Sequence, residues 1–238
     1  MPFLTAEWNN LLMVNYDIDP KVLEPYVPFG TTLDTWSGRC YASLIGFMFN
    51  NTRLAGIKVP FHIDFEEVNL RFYVKRQVGD EVKRGVVFIK EIVPKPAIAW
   101  VANTFYQEKY ESLKMRHHWE FSGTEGQLSY GWHKGGEWHE LSATFDQTPQ
   151  PILPDSEAEF IIEHYWGYSS VNDRKATEYE VTHPKWEQYR VLSHEVKVDF
   201  GKTYGDNFAF LKNQVPTSVL LAKGSAITVE GKTTLRQG

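Results

Sequence analysis

Cysteine is nearly absent from this chain of 238 residues, which contains only Cys40. No disulfide can form within one chain, and no cluster of thiolates can hold a metal. Cys40 lies in an apolar stretch without an adjacent histidine, so we predict a core residue rather than a nucleophile. A chain without disulfides fits a reducing compartment, and we expect a cytoplasmic protein.

Long apolar runs and clusters of basic residues are also missing. The longest clearly apolar stretches, such as residues 86–89, are too short to cross a membrane, and no basic segment followed by an apolar run opens the sequence. We therefore predict no signal peptide and no membrane partner. The formal net charge is -5 and the lysines and arginines are scattered, so nucleic acid is not an expected partner.

Several catalytic signatures are absent as well. Turns with one glycine, as at Gly79 and Gly123, form no phosphate loop, and no Gly-x-Ser-x-Gly elbow occurs. His62, Asp64 and Glu66 stand at alternate positions, as strand-borne metal ligands would. The same alternation is typical of the polar outer face of a sheet. We predict no metal site and no cofactor.

What the chain has in quantity is aromatic residues, at 15%, and short strand-like segments separated by turns. Helices are few. Asp19-Pro20 is a typical helix start, and residues 155–166 are predicted as a helix with Ser156 as the cap, whereas residues 97–103 are predicted as a strand. The pattern favours a mainly β protein, a closed antiparallel β-barrel with a few short helices, forming one domain over residues 1–238. A homo-oligomer is compatible with the sequence, which does not specify the oligomeric state.

The apolar alternation changes phase within the strand at residues 63–74. Apolar residues stand at odd positions up to Phe65 and at even positions from Val68 onward. Because side chains alternate between the two faces of a strand, we predict one extra residue, a β-bulge, near Glu66 and Glu67.

After this change, Glu67, Asn69 and Arg71 share one face of the strand, and Arg84 and Glu91 are placed across the following hairpin. Carboxylate and guanidinium groups inside a barrel could orient an anionic ligand. Alternatively, the row is a solvated ladder of charges on the outside of the sheet.

A second candidate is the polar and aromatic segment at residues 106–115. A lysine such as Lys109 or Lys114 can attack a carbonyl group when its pKa is lowered, and tyrosine can act as a hydrogen-bond donor. The alternative for this segment is a short exposed helix with solvated lysines.

Several motifs together resemble the YqjF-like uncharacterised family of the acetoacetate decarboxylase superfamily, over nearly the full chain. They are Phe65-x-Glu67-Val68-Asn69-Leu70-Arg71-x-Tyr73-Val74, Arg84-Gly85-Val86-x-Phe88, Tyr106-x-Glu108-x-Tyr110-x-x-x-x-Met115, Leu33-Asp34, Tyr165-Trp166-x-Tyr168 and His183-Pro184-x-Trp186.

The resemblance implies a conical barrel with a central cavity, and it places Glu67 where the decarboxylases carry a glutamate. Lys109 stands one residue before the position of their Schiff-base lysine, which Tyr110 occupies. A shift of one residue along an extended segment turns a side chain to the other face. The decarboxylases' imine chemistry is therefore not expected unless an irregular backbone brings Lys109 or Lys114 to the cavity.

We accordingly expect a cavity that binds a small anionic or carbonyl-containing molecule, with lyase-type chemistry as one outcome. Glu67, Tyr110 and Lys109 are the candidate catalytic residues. The candidate substrate-binding residues are Arg71, Asn69, Arg84, Tyr106 and Met115. Two alternatives remain: a non-catalytic sensor or carrier with the same cavity, and an interaction protein that uses exposed aromatics such as Trp36, Trp132 and Trp138.

Overall fold

The computed structural model describes residues 2–237, which contain fourteen strands in one hydrogen-bonded sheet. The strands are β1 (Leu4–Asp17), β2 (Thr32–Leu33), β3 (Tyr41–Leu54), β4 (Phe65–Val78), β5 (Glu81–Val93), β6 (Tyr110–Ser112), β7 (Lys114–Ser122), β8 (Glu125–Lys134), β9 (Glu137–Pro151), β10 (Trp166–Asn172), β11 (Lys175–Thr182), β12 (Glu187–Lys197), β13 (Ser218–Val229) and β14 (Thr233–Arg236).

Seven of these strands close into a ring in the order β11-β10-β5-β4-β3-β1-β13, because β13 also pairs with β11. The prediction of a closed, mainly β architecture is confirmed. Most pairings are antiparallel, as predicted, but β10 and β6 each pair with β5 in parallel. Closure satisfies backbone groups that would otherwise form an exposed sheet edge.

The remaining long strands form an outer layer over the ring. They continue from β13 in the order β12-β9-β8-β7, and β8 and β7 contact β3 and β4. Between the two layers lies the larger apolar core, in which Leu44, Val68 and Leu70 are fully buried together with Tyr130 and Trp132 of β8. Gly46 allows this close packing, since an added Cβ there would lie 2.7 Å from the ring of Tyr130.

Two sequence predictions are decided by this core. Cys40 is buried in it, as predicted. Trp132, which the interaction-protein alternative treated as exposed, is 0% exposed, so that alternative loses one of its three aromatic residues.

The α-helices are short: α1 (Pro20–Leu23), α2 (Pro96–Phe105), α3 (Glu157–Ile162) and α4 (Phe200–Tyr204). Two 3-10 helices cover Glu24–Tyr26 and Asp206–Asn213. The predicted caps are present, because Asp19 accepts a hydrogen bond from the backbone of Lys21, and Ser156 accepts one from Glu159. However, α3 ends at Ile162, earlier than predicted.

The strand predicted at residues 97–103 is wrong, because this segment is helix α2. Pro96 occupies the first turn, where its fixed φ favours a helix and its missing N–H costs nothing. Ile98, Val101 and Ala102 follow the spacing of one helix face and line the cavity inside the ring.

The predicted β-bulge near Glu66 and Glu67 is also wrong. The pairing of β3 with β4 is continuous from Phe65 to Phe72, and the irregularity in the pairing of β4 with β5 lies between Leu70 and Arg71. Phe65 and Glu67 share one face, so an apolar and a polar residue line the same cavity. The phase change therefore marks a change in cavity lining, not an extra residue.

Among residues 2–237, no helix is long and apolar enough to cross a membrane. The single domain over residues 1–238 stays a prediction, and its two terminal residues lie outside the described part of the chain.

Candidate functional site

A cavity of about 290 Å³ lies inside the ring of strands. One part of its wall is apolar and aromatic, and includes Trp8, Phe47, Phe49, Phe65 and Phe88. The polar part of the wall includes Glu67, Asn69, Arg71, Glu91, Tyr106, Glu108, Tyr110, His164 and Tyr179. The cavity thus combines apolar surface with a few polar groups, as small-molecule sites do.

Three carboxyl groups meet in this cavity. Glu67 on β4 and Glu91 on β5 are each 2% exposed, and Glu108, just before β6, is 9% exposed. The strand pairing brings them together, because Glu91 lies opposite Asn69 of β4 and beside Tyr110 of β6.

Hydrogen bonds hold two of the carboxyl groups in place. Glu67 accepts one bond from Asn69 Nδ2 and one from the Tyr110 hydroxyl, each 2.9 Å long. Tyr179 donates to Glu108 Oε1 over 2.8 Å. By contrast, Glu91 Oε2 and Asn69 Oδ1 are buried without a hydrogen-bond partner. These two atoms are free to form hydrogen bonds with a ligand.

Burial raises the pKa of all three carboxyl groups, because a charge is poorly solvated inside the ring. The pKa of Glu67 rises to about 7 through burial and the neighbouring Glu108, although its two hydrogen-bond donors and Arg71 oppose the rise. Burial also raises the pKa of Glu108 to about 7. The pKa of Glu91 rises well above its ordinary value, through burial and through the charges of Glu108 and Glu67. At neutral pH, Glu67 can therefore exchange a proton, and the direction of its shift favours the protonated form of Glu91.

Arg71 is the arginine that lines the cavity. It lies four residues beyond Glu67 on β4, which at about 3.3 Å per residue is about 13 Å along the strand. Its Nη2 donates to the carbonyl oxygen of Ile161 in α3 over 3.1 Å, and its Nε is buried without a partner. This free N–H is a donor for an anionic or carbonyl oxygen.

Near Arg71, His164 lines the same cavity, and its Nε2 lies 3.4 Å from Asp34 Oδ2. Asp34 is held by Arg84 Nε at 2.7 Å and by Lys75 Nζ at 3.4 Å. Burial alone would raise the pKa of Asp34, but hydrogen bonds with His164 and Arg84 hold it well below its usual range. Asp34 is consequently a carboxylate at neutral pH.

Of the predicted site residues, the structure brings Glu67, Asn69, Arg71, Tyr106 and Tyr110 together around the cavity. Three others lie outside its lining. Arg84 pairs with Asp34 and its guanidinium lies 4.8 Å from the ring centroid of Phe160, whereas Met115 packs against the core between the layers.

The third residue outside the cavity is Lys109. Its side chain is exposed, with Nζ 5.4 Å from the ring centroid of Tyr26, while Glu108 and Tyr110 on either side of it line the cavity. Lys114 is exposed too, with Nζ 5.7 Å from the ring centroid of Trp138. No lysine lines the cavity in the described part of the chain. The predicted amine of Lys109 is therefore not positioned to attack a molecule bound there.

Sequence reasoning assigned no role to Glu108, Tyr179 or His164, although Glu108 stands in a quoted motif. Alternation provides a signal for Tyr179, since Tyr179 and Val181 on β11 both line the cavity. No comparable signal exists for His164, because it follows the end of α3 and meets Asp34, which is 130 positions earlier, only through the fold.

A second, more open groove of about 750 Å³ lies beside β9 and β12. Its buried histidine, His139, is already bonded at both ring nitrogens, to the carbonyl oxygen of Lys134 and to the N–H of Asp199. Lys202 and Glu137 on its rim form an ion pair. The unpartnered buried polar atoms described above lie around the central cavity, which is the better candidate site.

The arrangement of ring, outer layer and central cavity defines the class of fold: it is that of the acetoacetate decarboxylase-like proteins. The enduracididine biosynthesis enzyme MppR, complexed with the condensation product of pyruvate and imidazole 4-carboxaldehyde, superposes with a TM-score of 0.68 at 13% identity, covering 99% of this chain and 90% of that one. An acetoacetate decarboxylase-like enzyme from Sphingomonas wittichii RW1 gives 0.67 at 12% identity, covering 100% of this chain and 95% of that one. Acetoacetate decarboxylase from Legionella pneumophila gives 0.65 at 12% identity, with coverages of 99% and 87%. At these identities the likeness concerns the fold.

The chain belongs to the DUF2071 family, described as an uncharacterized conserved protein, whose profile matches residues 5–226. The uncharacterized protein YqjF of Bacillus subtilis (strain 168) is 31% identical over 110 residues, which is 46% of this chain and 44% of that protein. The aligned part thus spans less than half of this curated relative. The predicted resemblance to the YqjF-like family is confirmed.

Proposed function

We propose that the central cavity binds a small carboxylate that also carries a carbonyl group, and that Glu67 exchanges a proton with the carbon next to that carbonyl. No imine with the protein is formed. The observation that carries this proposal is the pairing of two unequal acids in one cavity: Glu67, fixed by two donors, and Glu91, whose Oε2 has no partner.

The size and lining of the cavity support a small ligand. A volume of about 290 Å³ is at the lower end of ordinary ligand pockets, and aromatic side chains cover much of the wall. Two structural neighbours support the class of ligand, since their names refer to pyruvate and to acetoacetate, both of them oxo acids.

Five polar residues of the cavity wall have a role in this reaction. Arg71 Nε binds the ligand carboxylate. Glu67 removes a proton from the carbon beside the carbonyl, and the electron pair of the broken C–H bond forms a C=C bond. The carbonyl oxygen accepts the proton of Glu91, giving a neutral enol. Asn69 and Tyr110 position Glu67, so the Tyr110 hydroxyl serves the carboxylate rather than a ligand oxyanion.

The raised pKa values of Glu67 and Glu91 suit these two roles. A base works best when its pKa lies near the working pH, as for Glu67 at about 7. A carboxyl group whose pKa is raised well above its ordinary value favours its protonated form and can donate to an oxygen, as required of Glu91.

Proton exchange in D₂O tests the proposal directly. The protein is incubated with pyruvate, 2-oxobutyrate or levulinate, and loss of the C–H signal next to the carbonyl is followed by ¹H NMR. We expect the wild-type protein to accelerate exchange for at least one of them, and Glu67→Gln to lower the rate about 100-fold or more.

Glu66→Gln is the matched control, because Glu66 is the neighbouring residue on the other face of β4 and pairs with His117 outside the cavity. It should exchange at the wild-type rate. Equal rates in the wild type and Glu67→Gln would disprove the role of Glu67. Binding of these acids without any exchange would favour the sensor or carrier.

A further inference from the structure

His164 is a buried histidine at the cavity wall with an unusual set of partners. Its side chain is 0% exposed and it lines the cavity. Neither ring nitrogen makes a well-directed hydrogen bond within the protein, but Nε2 faces Asp34 Oδ2 at 3.4 Å, whereas Nδ1 faces no such partner. The ring is held between Tyr73 and Phe160, with centroid separations of 4.7 and 5.1 Å. A packed ring of this kind has a fixed orientation.

Asp34 determines which nitrogen of His164 carries the proton. A carboxylate accepts hydrogen bonds, so the nitrogen facing it at 3.4 Å, Nε2, is the protonated one. Asp34 in turn is fixed by Arg84, by Lys75 and by the backbone N–H of Thr35 at 3.0 Å. Burial lowers the pKa of His164 to about 4, so the ring is neutral at pH 7. Nδ1 is then a bare acceptor.

Arg71 places a donor at the same end of the cavity. Its guanidinium carbon lies 5.5 Å from the ring centroid of Tyr73, the same ring that packs against His164. Arg71 also bonds to Ile161, three residues before His164. One end of the cavity therefore offers an unpartnered N–H, Arg71 Nε, and an unpartnered acceptor, His164 Nδ1, on two side chains that lie against the same tyrosine ring.

We infer that the ligand carries a hydroxyl group close to its carboxylate, and that this hydroxyl donates a hydrogen bond to His164 Nδ1 while the carboxylate binds Arg71. The ligand is thus a hydroxylated oxo acid, with His164 as a specificity-determining residue and Asp34 as its positioning residue. This inference rests on the proposed function, which supplies the carboxylate and the carbonyl group. An oxo acid without the hydroxyl leaves Nδ1 unpaired, and a site with an unpaired buried acceptor discriminates strongly.

Affinity for a matched pair of ligands tests the inference. Dissociation constants of 3-hydroxypyruvate and pyruvate are measured by calorimetry, and we expect the wild-type protein to bind 3-hydroxypyruvate at least about 10-fold more tightly. His164→Phe should abolish the difference, and Asp34→Asn should reduce it, because an amide no longer fixes the tautomer. His62→Phe is the matched control and should keep the preference, since His62 lines the cavity but its Nδ1 already contacts the carbonyl oxygen of Pro60 at 2.8 Å.

A second measurement needs no variant. In the ¹⁵N NMR spectrum of the wild-type protein, His164 Nδ1 should have the shift of an unprotonated ring nitrogen and should move when 3-hydroxypyruvate is added, but not with pyruvate. Equal affinities for the two acids, a preference retained in His164→Phe, or a protonated Nδ1 would each overturn the inference. None of these results affects the exchange catalysed through Glu67, so failure of the proposed function is recognised separately, by exchange that does not depend on Glu67.

Discussion

Glu66 and Glu67 are neighbours in the sequence, yet their carboxyl groups lie on opposite faces of β4. Glu67 lies in the cavity with two hydrogen-bond donors, whereas Glu66 lies on the other face, 3.4 Å from His117 Nδ1. The two environments shift the pKa in opposite directions, upward for Glu67 and downward for Glu66. The two residues therefore form a natural pair for comparison.

We predict that Glu67→Gln stabilises the protein at neutral and higher pH. The pKa of Glu67 rises from 4.5 to about 7 on folding, so the unfolded chain loses its proton first and wild-type stability falls as the pH rises through this interval. Gln does not titrate, so at about pH 8 the variant should be more stable than the wild-type protein by an amount on the order of 2–3 kcal/mol. This difference should vanish near pH 4.5. Denaturant unfolding at several pH values measures this.

Glu66→Gln should change the stability in the opposite direction and destabilise the protein. Burial would raise the pKa of Glu66, but the hydrogen bond from His117 lowers it overall, so the ionised form stabilises the fold above its ordinary pKa. Because His117 is partly exposed, we expect a loss of only about 1 kcal/mol at about pH 6, which decreases as the pH falls. Stabilisation by Glu66→Gln, or destabilisation by Glu67→Gln at about pH 8, would contradict the assignment of the two faces.

We predict that the rate of proton exchange depends on pH with an inflection near 7. The base must be ionised, so the rate should fall about 10-fold per unit below the pKa of Glu67, which is about 7. Glu108 contributes to this value through its negative charge. In Glu108→Gln the inflection should move to lower pH, and an unmoved inflection would show that the two groups do not interact.

Tyr110→Lys should introduce imine chemistry that the wild-type protein lacks. Tyr110 lines the cavity beside Glu67 and Glu91, whereas Lys109 is exposed on the other side of the segment. With borohydride and pyruvate, mass spectrometry should find no adduct on Lys109 or Lys114 of the wild type. An adduct should appear at position 110 of the variant. An adduct on Lys109 of the wild-type protein would refute the observed orientation.

Gly167→Ala should disturb the site through Tyr179. An added Cβ at Gly167 would overlap the Tyr179 ring, whose hydroxyl donates to Glu108. We expect a stability loss of about 1–3 kcal/mol and weaker ligand binding. Gly231→Ala is the control, because an added Cβ there meets nothing within 4 Å and Gly231 has no positive φ. Equal stability of the two variants, measured by thermal unfolding, would argue against this contact.

Much of the fold follows from local patterns, because strand alternation and helix caps act within a few residues. The helix start at Asp19, the cap at Ser156 and the row of Glu67, Asn69 and Arg71 on one face were predicted correctly. The inference from alternation was wrong at Phe65 because it assumes that each strand face is uniformly polar or apolar, whereas the cavity wall contains both apolar and polar residues. Residues 97–103 were predicted wrongly because apolar spacing over seven residues does not distinguish a helix from a strand. Pro96 favours the helix.

The parts of the site that could not be predicted depend on distant contacts. His164 meets Asp34, and Tyr179 meets Glu108, only after the ring has closed. The orientation of Lys109, by contrast, follows from local geometry, because neighbouring residues of an extended segment face opposite sides: Tyr110 lines the cavity and Lys109 does not.

The strand pairings that form the ring differ in length. β5 and β10 share two residue pairs, at Trp166 and Gly167, and β11 and β13 share two, at Val181 and Thr182. In contrast, eleven pairs join β1 and β13. The backbone amides of these two short pairings should exchange with solvent sooner than those of β1. Trp166, Gly167 and Val181, which belong to these pairings, all line the cavity. Local opening of the cavity wall at these two short pairings would let a small solute enter or leave without unfolding the rest of the molecule.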